Sequence, residues 1–266
     1  MIKKTRLLAG LAIGCVLSSP AAFADEDELY KGFYFGIWGG GGSVDTLSKS
    51  DFDEIVIGAL PMELDRAAFF ADTDNDKIND VLYEFALAGI GGDSSLDDSV
   101  SAWGVQVGYR FGKYFATEVG YANLGEASYR LPINVQVTAT DLVGGGSALD
   151  VFPAERATVF TSAGPTISAI GILPLGQHFE LQARGGIYLA DTRQTARIRD
   201  VEFAENVAHR RVDASQTELL AGIGGIWNIN ENFSLRVEYQ KFFDVGDDEK
   251  TGESDIDVIN LSVLFK

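Results

Sequence analysis

Residues 101–124 read SAWGVQVGYRFGKYFATEVGYANL, two alternating runs joined by a short turn at Gly112-Lys113. On the first run Trp103, Val105, Val107, Tyr109 and Phe111 share one face, and Ala102, Gly104, Gln106, Gly108 and Arg110 share the other. On the second, Phe115, Thr117, Val119 and Tyr121 oppose Ala116, Glu118 and Gly120. A period of two is the mark of a strand, because successive side chains leave a pleated backbone on opposite sides. The polarity of the faces then selects the environment. One face is large, apolar and tipped with aromatics, which suits hydrocarbon and its interfaces. The other mixes small residues with isolated charges, which suits the inside of a narrow barrel.

The same pattern recurs along the chain. A pair is expected over 162–173 and 178–190, turning at 174–177, with Phe179, Leu181, Ala183, Ile187 and Leu189 outward and Glu180, Gln182, Arg184, Gly186 and Tyr188 inward. Pro165 cannot donate to a ladder, so it is expected near a strand end or a bulge. Another pair is expected over 217–229 and 233–243, turning at 230–232. Residues 32–43 supply an opening strand and 255–266 a closing one, a total of eight. The connections alternate between short turns and long segments (45–99, 125–156, 191–216, then an intermediate 244–254). This is the layout of an all-β, eight-stranded antiparallel transmembrane β-barrel with long extracellular loops and short periplasmic turns.

The amino terminus fits export. Lys3, Lys4 and Arg6 precede an apolar run over 7–17 that is too short to span a bilayer as a helix, and Ala22-Phe23-Ala24 forms an A-x-A cleavage site. Residues 11–15 loosely resemble a lipoprotein box ending at Cys15, but Ala12 stands where a larger aliphatic is usual, so residues 1–24 are expected to be a cleaved signal peptide and 25–266 the barrel. Loss of that segment takes the formal charge from −18 to −21 and removes the single cysteine. Such acidity excludes a nucleic-acid partner, which needs clustered Lys and Arg. Without cysteine there is no disulfide framework or thiolate metal site.

Residues 102–125, 169–192, 221–243 and 258–266 resemble the OmpA-like outer-membrane β-barrel family. The resemblance implies residence in the cell outer membrane, contact with its lipid and lipopolysaccharide, and a monomeric barrel. It covers the barrel domain alone, so the cell-wall anchoring of relatives with a peptidoglycan-binding domain is not expected here. The closing strand departs from the family pattern in placing Phe265 next to last and Lys266 last.

Inward charges are expected at Arg110, Glu118, Glu180, Arg184, Glu218, Arg236 and Glu238. In an eight-stranded barrel the interior is only wide enough for side chains, so these must pair across it. Outside the wall, residues 45–99 carry 14 Asp/Glu against 3 Lys/Arg. Within them Asp72, Asp74, Asp76 and Asp80, with the carbonyl of Ile78, resemble the Asp-rich calcium loops of thrombospondin type-3-like repeats and dockerins, although Lys77 takes the position usually held by glycine. The alternative is a solvated acidic loop without Ca²⁺. Residues 81–88 are expected to form a short amphipathic helix over the barrel mouth, and Arg193, Arg197, Arg199, Arg210 and Arg211 to bridge other loops or lipopolysaccharide phosphates. Gly39–Gly42 and Gly144–Gly146 lack the Lys-Ser/Thr of a phosphate loop. His178 and His209 have no spacing that pairs them with an activated serine. The expected function is therefore non-enzymatic: a structural surface barrel whose loops serve adhesion or lipopolysaccharide contact, toward a ligand the sequence does not name. The alternatives are a narrow porin-like channel and, more remotely, a lipid-modifying enzyme.

Overall fold

Alternation becomes a closed ladder. The computed structural model describes residues 31–45, 49–72, 79–200, 206–247 and 251–266; the expected signal segment, 1–24, lies outside them. The elements are β1 (Gly32–Asp45), α1 (Lys49–Asp65), β2 (Phe69–Ala71), β3 (Val81–Ile90), β4 (Ser95–Asp97), β5 (Ser99–Arg110), β6 (Phe115–Asp141), β7 (Gly146–Pro174), β8 (Phe179–Asp200), β9 (Asn206–Asn228), β10 (Phe233–Asp247) and β11 (Gly252–Phe265). Eight of them form a ring in the order β6-β5-β1-β11-β10-β9-β8-β7, and β7 pairs back onto β6. Every pairing is antiparallel, with β1 against β11 (Ile37↔Val263) and against β5 (Ile37↔Val105).

The two faces of the ring divide as their chemistry requires. Along β5 the even positions from Ala102 to Arg110 are buried, whereas Trp103, Val105 and Val107 are exposed. The outward apolar surface continues through Phe35, Ile37, Val119, Leu181, Ile223, Val237 and Leu261. One rim carries rings in mutual contact, among them Phe33 with Tyr109, Phe111 with Phe115, Phe179 with Trp227 and Phe233 with Phe265. The other rim carries Trp103, Tyr121 and Tyr239. From Trp103 to Phe111 the strand climbs about 26 Å at ~3.3 Å per residue, enough for a tilted strand to cross the apolar band of an outer membrane. Inside, large groups sit over glycine. A Cβ on Gly104 would lie 2.5 Å from the Trp38 indole, and one on Gly108 would lie 2.2 Å from the Tyr34 ring.

Two of the segments read as long loops extend the wall over their described residues. Residues 125–156 continue the β6–β7 ladder out to Asp141↔Gly146, and 191–200 with 206–216 continue β8–β9. Pro165 lies in the interior of β7, at a pause where pairing with β8 passes from Ala163 to Thr166. The helix also differs in place. Residues 81–88 belong to β3, since Phe85 and Leu87 alternate inward at strand spacing, and the helix is α1. Its Phe52, Val56, Leu60 and Leu64 recur every four residues and pack on Tyr129, Leu131, Ile133 and Val135 of β6 and on Ile198 of β8.

A bulge makes room for this arrangement. From Asn123 to Glu126 strand β6 advances three residues while β7 advances two. The inward face of β6 therefore switches from even positions to odd ones, so that Leu124 and Ala127 both point in. At the same place β6 exchanges β5 for β4 and then β3 as its neighbour. Gly125 sits at the corner with φ 83°, and a Cβ there would lie 2.6 Å from the Ser101 carbonyl oxygen. Gly125→Ala is expected to destabilise the folded barrel by about 1–3 kcal/mol through backbone strain and this clash. The check is the urea midpoint of the heat-modifiable form in detergent, and an unchanged midpoint would refute the strain argument.

Candidate functional site

The lumen is crossed by one connected set of charges. Glu118 on β6 accepts from Arg184 Nη2 on β8 at 2.6 Å and from Arg236 Nη1 on β10 at 2.7 Å. Arg184 Nε donates to Glu238 Oε1 of β10 at 2.7 Å, and Arg236 Nε stands 3.6 Å from Glu238 Oε2. The Tyr34 hydroxyl on β1 donates to Glu118 Oε1 at 2.7 Å, and Gln240 Nε2 donates to Glu238 Oε2 at 2.8 Å. In the ring order β6 stands opposite β10 and β1 opposite β8, so the set spans the full cross-section. Arg236 is 1% and Glu238 0% exposed. Charges this dry persist only when each is met by opposite charge and hydrogen bonds.

A second pair lies toward the periplasmic turns. Arg110 on β5 grips Glu180 on β8 with two bonds (Nη1 to Oε2 2.9 Å, Nη2 to Oε1 3.1 Å), and its Nε donates to the Gly112 carbonyl. On the outer side of the charge layer the lumen turns apolar. Along β6, β8 and β10 the step is four residues each time: Glu118 to Ala122, Arg184 to Tyr188, Glu238 to Phe242. Trp38, Val100, Leu220, Ile256 and Val258 complete that layer from the neighbouring strands, and Leu124 from β6 itself. The Tyr188 and Phe242 rings meet edge to face at 5.1 Å. A bulge on β10 between Phe242 and Val245 turns both inward, opposite the bulge on β6.

Beyond this layer α1 fills the concave side of the outer sheet and is tied there by polar contacts. Arg156 on β7 holds Glu63 through Nε (3.2 Å) and Nη2 (2.9 Å), and the Tyr129 hydroxyl donates to Asp53. Burial, followed by the hydrogen bond to the Asp53 carboxylate, pushes the Tyr129 phenol up to about 12.

Six of the seven inward charges read from the sequence thus meet in two groups. Glu218 does not. It is half-buried at the outer end of the lumen, faces Tyr188 across the ladder with β8, and has no ion-pair partner among the described residues. Sequence reading missed Tyr34, which faces inward by the same alternation, and missed the whole of α1. The four-residue spacing of Phe52, Val56, Leu60 and Leu64 was the available signal, masked by Pro61. Of the proposed calcium ligands, Asp72 follows β2 and Asp80 precedes β3, and the Asp80 amide donates to the Ala71 carbonyl at 2.9 Å. Asp74, Asp76 and Ile78 lie outside the described residues. Among the described residues no group of three acids or histidines is placed to hold a metal. His178 Nδ1 lies 3.2 Å from the Asn228 carbonyl, and His209 pairs with Arg197 in the ladder between β8 and β9 rather than lying in a loop. Among the described residues neither histidine is bonded to a serine.

Residues 68–266 match the family model for the OmpA-like transmembrane domain. The chain belongs to that family. The match takes in the ring from β5 onward, while β1 and α1 precede it. No curated protein sequence matches the chain. Similar solved structures include Ail, the attachment invasion locus protein of Yersinia pestis, in complex with the heparin analogue sucrose octasulfate. It is 11% identical, with 88% of this chain and 97% of that one covered and a TM-score of 0.35. OprG of Pseudomonas aeruginosa is 15% identical (89% and 94% covered, TM-score 0.32), and the outer-membrane protease OmpT of Escherichia coli is 6% identical (88% and 94% covered, TM-score 0.33). As an OmpA-like barrel the chain is an outer-membrane protein, held together from within by the charge layer.

Glu118→Ala leaves Arg184 and Arg236 short of their shared partner in a dry lumen. It is expected to lower the unfolding free energy by about 3–5 kcal/mol, read from denaturant titration in lipid vesicles by tryptophan fluorescence. Tyr34→Phe removes one bond to a charged acceptor and is expected to cost about 1.5–3 kcal/mol. A Glu118→Ala loss below that of Tyr34→Phe would contradict the central place given to Glu118.

Proposed function

We propose that this chain is a sealed structural barrel of the outer membrane whose helix-filled outer sheet faces the exterior, for adhesion or lipopolysaccharide contact, without catalysis or bulk diffusion. The observation that carries this reading is the stacking of the apolar layer on the charge layer, four residues further along three alternate strands. An ion entering from the periplasmic side meets fixed, already neutralised charges and then a hydrophobic septum, and one entering from outside meets the two in the reverse order. Export with cleavage after Ala24 and a monomeric state belong to the same reading.

A narrow ion path is the second reading. It is favoured by Gln106, Gln182 and Asn260, which have buried amide atoms without partners among the described residues, as a thread of lumen water would require. Planar-bilayer recording separates the two. The refolded barrel, with insertion verified by heat-modifiable gel migration, is expected to leave the bilayer insulating. A stable single-channel conductance replaces the sealed-barrel reading with the narrow path. Calcium at the turn between Asp72 and Asp80 is a further proposal, supported by the pairing of Ala71 with Val81 that draws the two acids to the base of one hairpin. Calorimetry is expected to show Ca²⁺ heat that Asp74→Ala/Asp76→Ala abolishes, and no heat in either protein ends the proposal.

A further inference from the structure

Above the membrane, β6, β7, β8 and β9 carry their outward side chains in cross-strand rows. Ser128, Val159, Thr195 and Arg211 make one row, and Arg130, Ala157, Arg197 and His209 make the next one out. Their chain neighbours Tyr129, Thr158 and Ala196 are buried on the opposite face, the one that α1 covers, so both rows point away from the barrel axis. Neither row contains an acid. In the row beyond, Glu155 faces Arg199 across the ladder, which balances the charge there.

The guanidiniums of this band crowd one another. Arg211 stands diagonally between Arg193 and Arg197 on β8, about 7–8 Å from each at the backbone. Arg130 is two strands from Arg197 in the same row, about 10 Å away. Asp213 takes both Arg193 (2.8 Å) and Arg211 (2.9 Å). The side chains of Arg130 and Arg197 have no hydrogen-bond or ion-pair partner among the described residues. One carboxylate thus answers four cations, in a chain whose 39 acids outnumber its bases. The surplus is repulsive as it stands, and an anion from outside the chain relieves it.

A hollow lies against the band on its membrane side. Its volume is ≈ 790 Å³, within the range of small-ligand sites. Tyr121 of the aromatic rim bounds it below and Arg193 with Arg211 above, and Asn123, Thr161 and Asp191 line it between them. Amide, hydroxyl and carboxylate groups beside an aromatic ring suit a saccharide, whose hydroxyls both donate and accept. Height agrees with that chemistry. Leu189 is the last outward apolar residue of β8, and Thr195 and Arg197 follow six and eight residues later. At ~3.3 Å per residue and the tilt of membrane strands, the band stands roughly 15–20 Å above the hydrocarbon, within the sugar layer.

We propose that this outward face binds a phosphate-bearing saccharide of the surrounding lipopolysaccharide, its sugar in the hollow and its phosphates on Arg130, Arg197 and Arg211. The inference rests on the reading of the outer sheet as a lipopolysaccharide contact and assigns that contact to one face. The full barrel refolded in detergent is titrated calorimetrically with deacylated lipopolysaccharide core that retains its phosphates. Parallel arms use the same core after dephosphorylation, inorganic phosphate, and a sulfated heparin fragment. Wild type is expected to bind the phosphorylated core, less tightly as salt is raised. Arg197→Gln/Arg211→Gln is expected to bind it at least about tenfold more weakly. Arg66→Gln/Arg210→Gln removes the same charge on the α1 side, since Arg210 faces the buried Ala196 across the ladder, and is expected to bind as wild type does. Heat-modifiable migration verifies that every variant is folded. Equal loss in the two double variants, or none in either, overturns the assignment to this face and leaves lipopolysaccharide contact standing. Absence of binding by wild type overturns both. Binding of the dephosphorylated core, inorganic phosphate or heparin fragment as tight as that of the phosphorylated core overturns the phosphosaccharide.

Discussion

Glu118 is the point on which the barrel turns. Its carboxylate, 2% exposed, receives two arginines and a tyrosine from strands on three other sides of the ring. In a lumen with no room for bulk water, each member of that set is intolerable without the others. Sliding one strand by a single residue would turn Glu118, Arg184 or Arg236 out into hydrocarbon and bring an apolar side chain in. The charge layer therefore specifies register and closure, while the outward apolar belt specifies where the ring resides.

The outer half of the molecule follows from two irregularities on opposite strands. The bulges on β6 and β10 each turn an extra residue inward, thickening the apolar layer at Leu124/Ala127 and Phe242/Val245. The β6 bulge also releases that strand from β5 and frees an edge for β4 and β3. The ladder then continues as an open, curved sheet. An open sheet exposes a concave apolar face, and α1 covers it with Val56, Leu60 and Leu64, located by Arg156 with Glu63 and Tyr129 with Asp53. The lumen and the outer sheet thus have separate cores.

Much of the wall was legible because period two leaves little ambiguity when one face is greasy and the other small or ionic. Trp103 through Phe111 and Phe179 through Leu189 could be assigned to faces residue by residue, and inward positions such as Arg110, Glu180 and Glu238 followed. Connections were less legible. Thr-, Ala- and Arg-rich stretches such as 191–199 carry no apolar face for lipid, so above the membrane the alternation fades although the hydrogen-bonded ladder does not. The helix escaped because Pro61 argues against one, and because its apolar residues answer to a sheet surface brought together from β3, β6 and β8.

By itself, the sequence determined the class of the protein, the eight strands of its ring, the lipid-facing and lumen-facing sides of its membrane strands, and six of the charges that are buried. Those are local consequences of side-chain alternation and of the cost of placing polar groups in hydrocarbon. Tertiary structure decided who pairs with whom: that Glu118 is shared by two arginines while Glu218 has no ion-pair partner among the described residues, and that α1 lies within an outer sheet. These depend on ring order and on where bulges shift the register, quantities set by the simultaneous closure of all eight strands rather than by any one stretch of chain.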